Sequence, residues 1–259
     1  MYDSLTNATL GNLLGKRPFR CYDVVASTQD VARNWALTDP TLPTGAAVIA
    51  EQQTAGRGRQ GRAWISPPGA SLMCSVVVRP TVPGEQIGRL TMAGGIAVAE
   101  TLTPHLPGRV RLKWPNDVLI EGRKISGILS EATWLGDHLE AVIVGIGVNV
   151  RNDFRSTELE QRATCLETEL GRGVDRRPLL ADLLRRLDYW AARLDDPALV
   201  EAWRGWLGTL GRRVTVYPQL GAAYEGVAEA VDEDGALWVR TDAGLRQRVI
   251  AADVGLAES

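Results

Sequence analysis

Histidine, cysteine and lysine are all scarce in this 259-residue chain, and each scarcity excludes something. The histidines are His105 and His138, and the cysteines are Cys21, Cys74 and Cys165, with no CxxC pair. Such a set builds neither a disulfide framework nor a zinc site, and it argues against a His-based triad. A reducing cytoplasm is the compartment it suits. No stretch approaches about 18 uncharged apolar residues, so no membrane span is expected. The opening MYDSLTNATLGNLL lacks a charged leader with an apolar run behind it, so no secretory signal is read. A formal net charge of −2 gives no general reason to expect a nucleic-acid partner.

The lysine scarcity is the most informative. Of 29 basic residues, only Lys16, Lys113 and Lys124 are lysines, and two of these stand eleven positions apart. Everywhere else a positive charge is an arginine. A lysine ammonium is a compact, tunable point charge, whereas a guanidinium is a planar fork that stays ionised. Lys113 and Lys124 are therefore candidates for work that arginine cannot do.

With 45% apolar and 23% charged residues, the chain reads as a folded protein rather than a disordered one. Its length fits one large or two unequal domains. Residues 1–20 read as a short helix and a lead-in. Ser27-Thr28-Gln29-Asp30 has the form of a capping box and should open a helix to about Thr38. Val48–Gln52 and Leu72–Val78 read as strands, and Leu90–Leu102 as a helix. Apolar runs at Val110–Trp114, Val118–Ile120, Ile125–Glu131 and Ala141–Val150 predict a meander of strands. Leu180, Leu183, Leu184, Leu187, Trp190 and Leu194 fall on one face of a helix starting at Pro178, and Pro197 opens another. After about residue 208 come four or five short strands separated by Asp/Gly turns, the pattern of a small barrel.

Four segments carry candidate chemistry. Between Gln52 and Gly84 there are four arginines and no acid, and Gly56, Gly58 and Gly61 loosen the backbone around Arg57, Arg59 and Arg62. A loop of this kind can wrap N–H groups and guanidinium forks around an anion, with Trp64 as a flat apolar wall. Lys113-Trp114-Pro115-Asn116-Asp117 crowds a cation, an amide and a carboxylate into one corner. In Gly122-Arg123-Lys124-Ile125-Ser126-Gly127, a lysine heads an apolar strand and needs an anion to meet, while Gly127 leaves space for a close approach. Gly145-Ile146-Gly147-Val148-Asn149 is the weakest signal when taken by itself.

Taken together and in order, STQD, QQTAGRGRQGRAW, KWPNDV, GRKISGIL and GIGVNV resemble the signature set of bacterial biotin protein ligases of the monofunctional type, the biotin–[acetyl-CoA-carboxylase] ligases. The resemblance covers about residues 22–150 strongly and the C-terminal strands weakly. It implies an α+β fold: a mixed β-sheet flanked by helices, the class II synthetase-like biotin/lipoate ligase core, over residues 1–208. A small SH3-like β-barrel would follow over residues 209–259. It also implies ATP and biotin as substrates, Mg²⁺ accompanying the nucleotide through ligands left unassigned, and a biotin carboxyl carrier domain of a carboxylase as partner. Residues 1–20 are too short for a helix-turn-helix, so DNA binding is not expected.

By the same resemblance, Ser27, Thr28 and Gln29 would bind the ureido ring of biotin, with Gln29 standing where the family more often has asparagine. Gln53, Arg57, Gly58, Arg59 and Gly127 would line the biotin tail and carboxylate. Arg59, Arg62, Trp64, Lys113, Asn116 and Asn149 would serve the nucleotide. Lys124 would contact both the biotin carboxylate and the α-phosphate, with Asp117 and Arg59 as its catalytic companions. The family's basic residue near the chain end is missing from Asp253–Ser259, leaving Arg246 or Arg248 as substitutes. A lipoate-using ligase of similar fold is the alternative among enzymes. A non-catalytic biotin-sensing or nucleic-acid-binding module is the alternative outside them.

Overall fold

The computed structural model describes residues 3–80, 84–250 and 252–256. Helix α1 (Asn7–Leu14) is closed at its N-terminus by Thr6 and Thr9, each side chain bonding the other's main chain. Strand β1 (Phe19–Val25) follows, where the sequence reading had only a lead-in. It runs parallel to β2 (Ala47–Gln53), and the helix α2 (Thr28–Thr38) makes the crossover that a parallel pair requires. Next come β3 (Ser71–Val78) and helix α3 (Gly88–Leu102). The expected meander is β4 (Val110–Lys113), β5 (Asp117–Ile120), β6 (Arg123–Leu135) and β7 (His138–Asn149). The seven strands form one sheet in the order β1-β2-β3-β7-β6-β5-β4.

Helices α4 (Leu166–Leu170), α5 (Arg176–Ala191) and α6 (Pro197–Trp206) follow. Helix α5 starts two residues before Pro178, because Asp175 caps it by accepting from the Arg177 N–H. Pro178 sits in the first turn, where an N–H would have no intrahelical partner. Strands β8 (Arg213–Pro218), β9 (Tyr224–Val231), β10 (Leu237–Thr241), β11 (Arg246–Val249) and β12 (Ala252–Leu256) then form a second sheet, antiparallel throughout, ordered β11-β10-β9-β8-β12. Among the described residues, no helix is long and apolar enough to cross a membrane.

The two faces of the large sheet differ in a way that places the site. Alternate residues of a strand point to opposite faces. Val142, Val144, Ile146 and Val148 join the main core, which includes α3, α5 and α6. On the other face, Ala141 and Ile143 pack with Ala32, Trp35 and Ala36 of α2. The next residues on that face are Gly145 and Gly147, so the apolar cover stops and leaves a bare strip of backbone. The second sheet is keyed to the turn before β5 by Trp114, only 1% exposed, whose indole N–H donates to the Gly235 carbonyl at 2.8 Å. The Trp114 amide donates to Thr209 Oγ1 at 2.9 Å.

A buried charge cluster ties the chain start to this frame. Arg176, 1% exposed, meets both oxygens of Glu51 at 2.7 and 3.0 Å and Asp3 Oδ1 at 3.2 Å. Arg151 grips the same Asp3 at 2.8 and 3.0 Å. Burial pushes the Asp3 carboxyl up, but the Arg151 and Arg176 hydrogen bonds and charges outweigh it and bring it down from 3.8 to about 2. A depressed folded-state pKa gives stability that is fully present above the unfolded value and lost as pH falls through the folded one. The Asp3 contribution, about 2 kcal/mol, is therefore expected to fade between pH 3.8 and about pH 2. Asp3→Ala leaves Arg176 with half its countercharge and should cost roughly 3–5 kcal/mol at neutral pH in denaturant titration. A loss below about 1 kcal/mol would mean that Glu51 alone satisfies Arg176.

Candidate active site

The Gly/Arg segment folds back as a tight hairpin on the α2 face of the sheet. Its base is pinned where Thr54 and Ala55 donate to the Val25 and Ala26 carbonyls at 2.9 and 2.8 Å. The arms are joined by Gly58 N–H to Arg62 O at 2.7 Å and Trp64 N–H to Gly56 O at 2.9 Å. The tip turns through Gln60 and Gly61, both left-handed, with φ of +55° and +73°. Gly61 adopts this conformation at no steric cost, and Gln60 does so against its Cβ.

Under the hairpin lies the glycine strip. Gly127 of β6 is paired with Gly147 of β7, and Leu129 with Gly145. A Cβ on Gly147 would stand 2.6 Å from the Trp64 ring, and one on Gly145 would stand 2.7 Å from the Gln29 side-chain nitrogen. At Gly127 it would meet Lys124 Nζ at 3.1 Å and Trp64 at 3.4 Å. The strip is thus a floor that Gln29, Trp64 and Lys124 cover from one end to the other. Glycine there is a requirement of close approach, and the weakest of the sequence signals marks it.

The polar groups along this floor are only half satisfied. Gln29 is 4% exposed and donates to the Leu129 carbonyl at 2.8 Å, but its Oε1 has no partner among the described residues. The buried Trp64 Nε1 and Ser27 Oγ also have none. Ser27 is the N-cap of α2 as expected, yet its hydroxyl makes no capping bond, which corrects the capping-box reading. The first turn is served from outside instead: Gln53 Oε1 accepts from the Thr28 N–H at 2.7 Å and from the Thr28 hydroxyl at 3.0 Å. Unpartnered buried polar atoms are costly unless something else bonds them. Here one acceptor, one donor and one hydroxyl are buried without a partner among the described residues.

Lys124 closes the other end. Its Nζ lies 2.6 Å from Asp117 Oδ1 and 5.9 Å from the Trp64 ring centre. The register pairs Lys113 with Asp117 across β4–β5, which puts the two lysines on either side of one carboxylate. Burial lowers the Lys113 pKa; Asp117 opposes this, and the positive charges of Lys124, Arg62 and Arg162 add to it. Arg162 went unnoticed in the sequence and had no motif to mark it. It arrives because the Lys124 N–H donates to its carbonyl at 2.8 Å, and Thr164 donates back to the Lys124 carbonyl at 2.9 Å. Asn149 anchors that segment, donating to Thr164 O at 3.1 Å.

Asn116 is the joint between strand, loop and second sheet. Its amide donates to Ile128 O at 2.8 Å, and its Oδ1 accepts from Arg59 at 3.3 Å. Burial pushes the Arg59 pKa down, with Asp117 acting against that. Arg59 also reaches the Ala252 carbonyl of β12 at 3.4 Å, and Arg62 pairs with Asp253 beside it. The contact from the second sheet is therefore acidic. Of the two arginines considered in place of a terminal cation, Arg246 meets Glu229 and Trp238, and Arg248 meets Asp232 and Asp234. Residues 257–259 lie outside the described part of the chain. Arg57 pairs with Asp30 and Glu131, beyond the Gln29 end of the strip.

Among the described residues, no three His, Cys, Asp or Glu side chains are grouped to hold a metal ion.

Comparison with known proteins agrees with this geometry. Residues 22–149 match the biotin/lipoate A/B protein ligase family, and residues 209–256 match the biotin protein ligase C-terminal domain. The chain is 34% identical over 244 residues to the bifunctional ligase/repressor BirA of Bacillus subtilis, covering 91% of this chain and 73% of that one. It is 35% identical over 222 residues to the biotin–[acetyl-CoA-carboxylase] ligase of Paracoccus denitrificans, covering 83% and 92%. The structure of the Aquifex aeolicus biotin protein ligase in complex with biotin and ATP superposes with a TM-score of 0.78 at 27% identity, covering 93% of this chain and 99% of that one. The chain belongs to the biotin protein ligase family.

Proposed function

We propose that the protein joins biotin to ATP, giving biotinyl-5′-AMP and pyrophosphate, and then passes biotin to a lysine of the biotin carboxyl carrier domain of a carboxylase. The observation that carries this reading is the glycine strip between Gln29 and Lys124. It is a bare backbone floor lying under Trp64, with unpartnered amide and hydroxyl groups at one end and a cation at the other. Biotin has the matching polarity, a ureido ring at one end and a carboxylate at the other.

In the first step a carboxylate oxygen attacks the α-phosphorus, the bond to the bridging oxygen breaks, and pyrophosphate leaves. In the second, the carrier amine attacks the acyl carbon, AMP leaves, and the amine gives up a proton. Neither step needs an enzyme nucleophile, so catalysis rests on positioning and charge. Gln29, Ser27 and Thr28 hold the ureido ring, with Gln53 fixing Thr28. Lys124 follows the negative charge as it passes from carboxylate to α-phosphate. Asp117 keeps that ammonium in place and then faces the incoming amine. Arg59, Arg62 and Lys113 offset the charge of the phosphates, with Mg²⁺ on the triphosphate. Asn116 holds Arg59 and Asn149 holds the strand beside Lys124. Trp64 shields the mixed anhydride from water. We read residues 1–208 as the catalytic domain and 209–259 as a barrel that abuts the Arg59–Arg62 loop, in a protein of the cytoplasm.

The test is pyrophosphate release that depends on biotin, followed by transfer of labelled biotin to a carrier domain, with Lys124→Ala as control. Release with lipoate but not biotin would refute the assignment. The strip also makes a selective prediction. Gly145→Ala pushes the Gln29 amide off the Leu129 carbonyl. Losing one such bond should raise the KM for biotin roughly fivefold to tenfold while leaving the KM for ATP unchanged. Equal effects on both would place Gln29 away from the ureido end.

A further inference from the structure

Arg57 is one of the two loop arginines that the motif assigns to biotin, yet both its Nη groups are engaged elsewhere. It meets both oxygens of Asp30 at 2.8 Å and Glu131 Oε2 at 2.9 Å. Arg33 meets the same two carboxylates at 2.8 and 2.9 Å. Two cations and two anions thus close a square drawn from three elements: Asp30 and Arg33 from the first turns of α2, Glu131 from β6, and Arg57 from the hairpin. All four side chains are between 30% and 42% exposed. On β6, Glu131 lies on the same face as Gly127 and Leu129, so the square stands in line with the glycine strip just beyond the Gln29 end. The pinned residues Thr54 and Ala55 fix only the base of the hairpin. Arg57 fixes the arm that carries it, while Arg59 and Arg62 meet Asn116 and β12 nearer the tip.

We propose that this square is the clasp that holds the Gly56–Trp64 hairpin over the strip. Asp30 and Glu131 are then positioning residues: they act through Arg57 and set how long biotin and its adenylate stay bound. The inference rests on the ligase reading for the identity of the ligand, but the clasp itself needs none. Half-exposed ion pairs are weak singly and are screened by salt. The two Arg57 pairs tie the hairpin, and Arg33 braces the two acids between them, a closure firm enough to retain a ligand and loose enough to open on each turnover.

The experiment uses the full chain with Asp30→Asn and Glu131→Gln combined, which leaves two guanidiniums facing each other. Without ligand, amide exchange across residues 56–64 should quicken roughly tenfold, with exchange in α3 unchanged. Raising salt from about 50 to 500 mM should quicken that exchange in the wild type and not in the double variant. Biotin should leave the double variant roughly tenfold faster, and more biotinyl-adenylate should be captured by hydroxylamine in solution. Asp30→Glu, which keeps the charge, should stay within about threefold of wild type. Loop exchange within about twofold of wild type in the double variant overturns the clasp. So does an Asp30→Glu protein as open as Asp30→Asn. Failure of the wild type to bind biotin would instead count against the ligase reading, and the exchange measurements would still decide the clasp.

Discussion

Lys124→Arg is expected to lose at least about 100-fold in biotin-dependent pyrophosphate release, although the charge is kept. The ammonium sits in a slot bounded by Asp117 at 2.6 Å, the bare Cα of Gly127 and the Trp64 ring. Even one methyl on Gly127 would come within 3.1 Å of Nζ. A guanidinium is planar and larger, so it must either push Trp64 from the strip or leave Asp117. In both cases it cannot track the charge moving from carboxylate to phosphorus. Nearly every other cation in the chain is an arginine, so the retained lysine is informative. A variant of unchanged melting temperature with near-normal pyrophosphate release would show that charge alone suffices.

Gly147→Ala is the second large effect. Its new methyl would lie 2.6 and 2.7 Å from two atoms of the Trp64 indole. The indole is rigid, and its main chain is tied to Gly56. Gly56 is itself packed against the Trp64 main chain, where a Cβ would stand 2.5 Å from the Trp64 carbonyl oxygen. The strain must lift the hairpin arm, at a cost of roughly 1–3 kcal/mol by the usual scale of overpacking. That predicts a loss of about tenfold to 100-fold in kcat/KM for adenylation and faster escape of the adenylate. The contrast with Gly145→Ala is diagnostic. The same methyl two residues earlier meets a flexible side chain, so its effect is confined to biotin affinity. If the two variants behave alike, the strip is packing and not a floor for two different ligand ends.

Much of this architecture was legible in the residues. The meander from Val110 to Val150 followed from valine and isoleucine runs between glycine turns, and β4 to β7 occupy it. The two prolines near helix starts placed α5 and α6 to within two residues. Strand β1 was missed for a physical reason. It is an edge strand in which no residue is fully buried, so no alternation marks it. The short α4 and its Glu169, which takes Arg109 and Arg123 at once, left no periodic trace either.

The site was legible as a set of residue types and not as an arrangement. Lys124 and Asp117 were both singled out, and they meet. The chain between Gln52 and Gly84 has no acid, which suggested free arginines. Acids from elsewhere meet all four of them: Asp30 and Glu131 bind Arg57, Asp253 takes Arg62 and approaches Arg59 at 4.0 Å, and Glu140 takes Arg79. Such pairings span 27 residues or more of sequence, beyond the reach of any local pattern. The glycines of GIGVN gave only a weak signal because a strand does not announce which face is bare. Only the register that sets Gly127 against Gly147 shows it.

A crystal structure with biotin and a non-hydrolysable adenine nucleotide bound would examine the heart of this mechanism. It should place Lys124 Nζ within hydrogen-bonding distance of both the biotin carboxylate and the α-phosphate, with the ureido ring against Gln29. An ammonium still locked on Asp117 and touching neither ligand would contradict it.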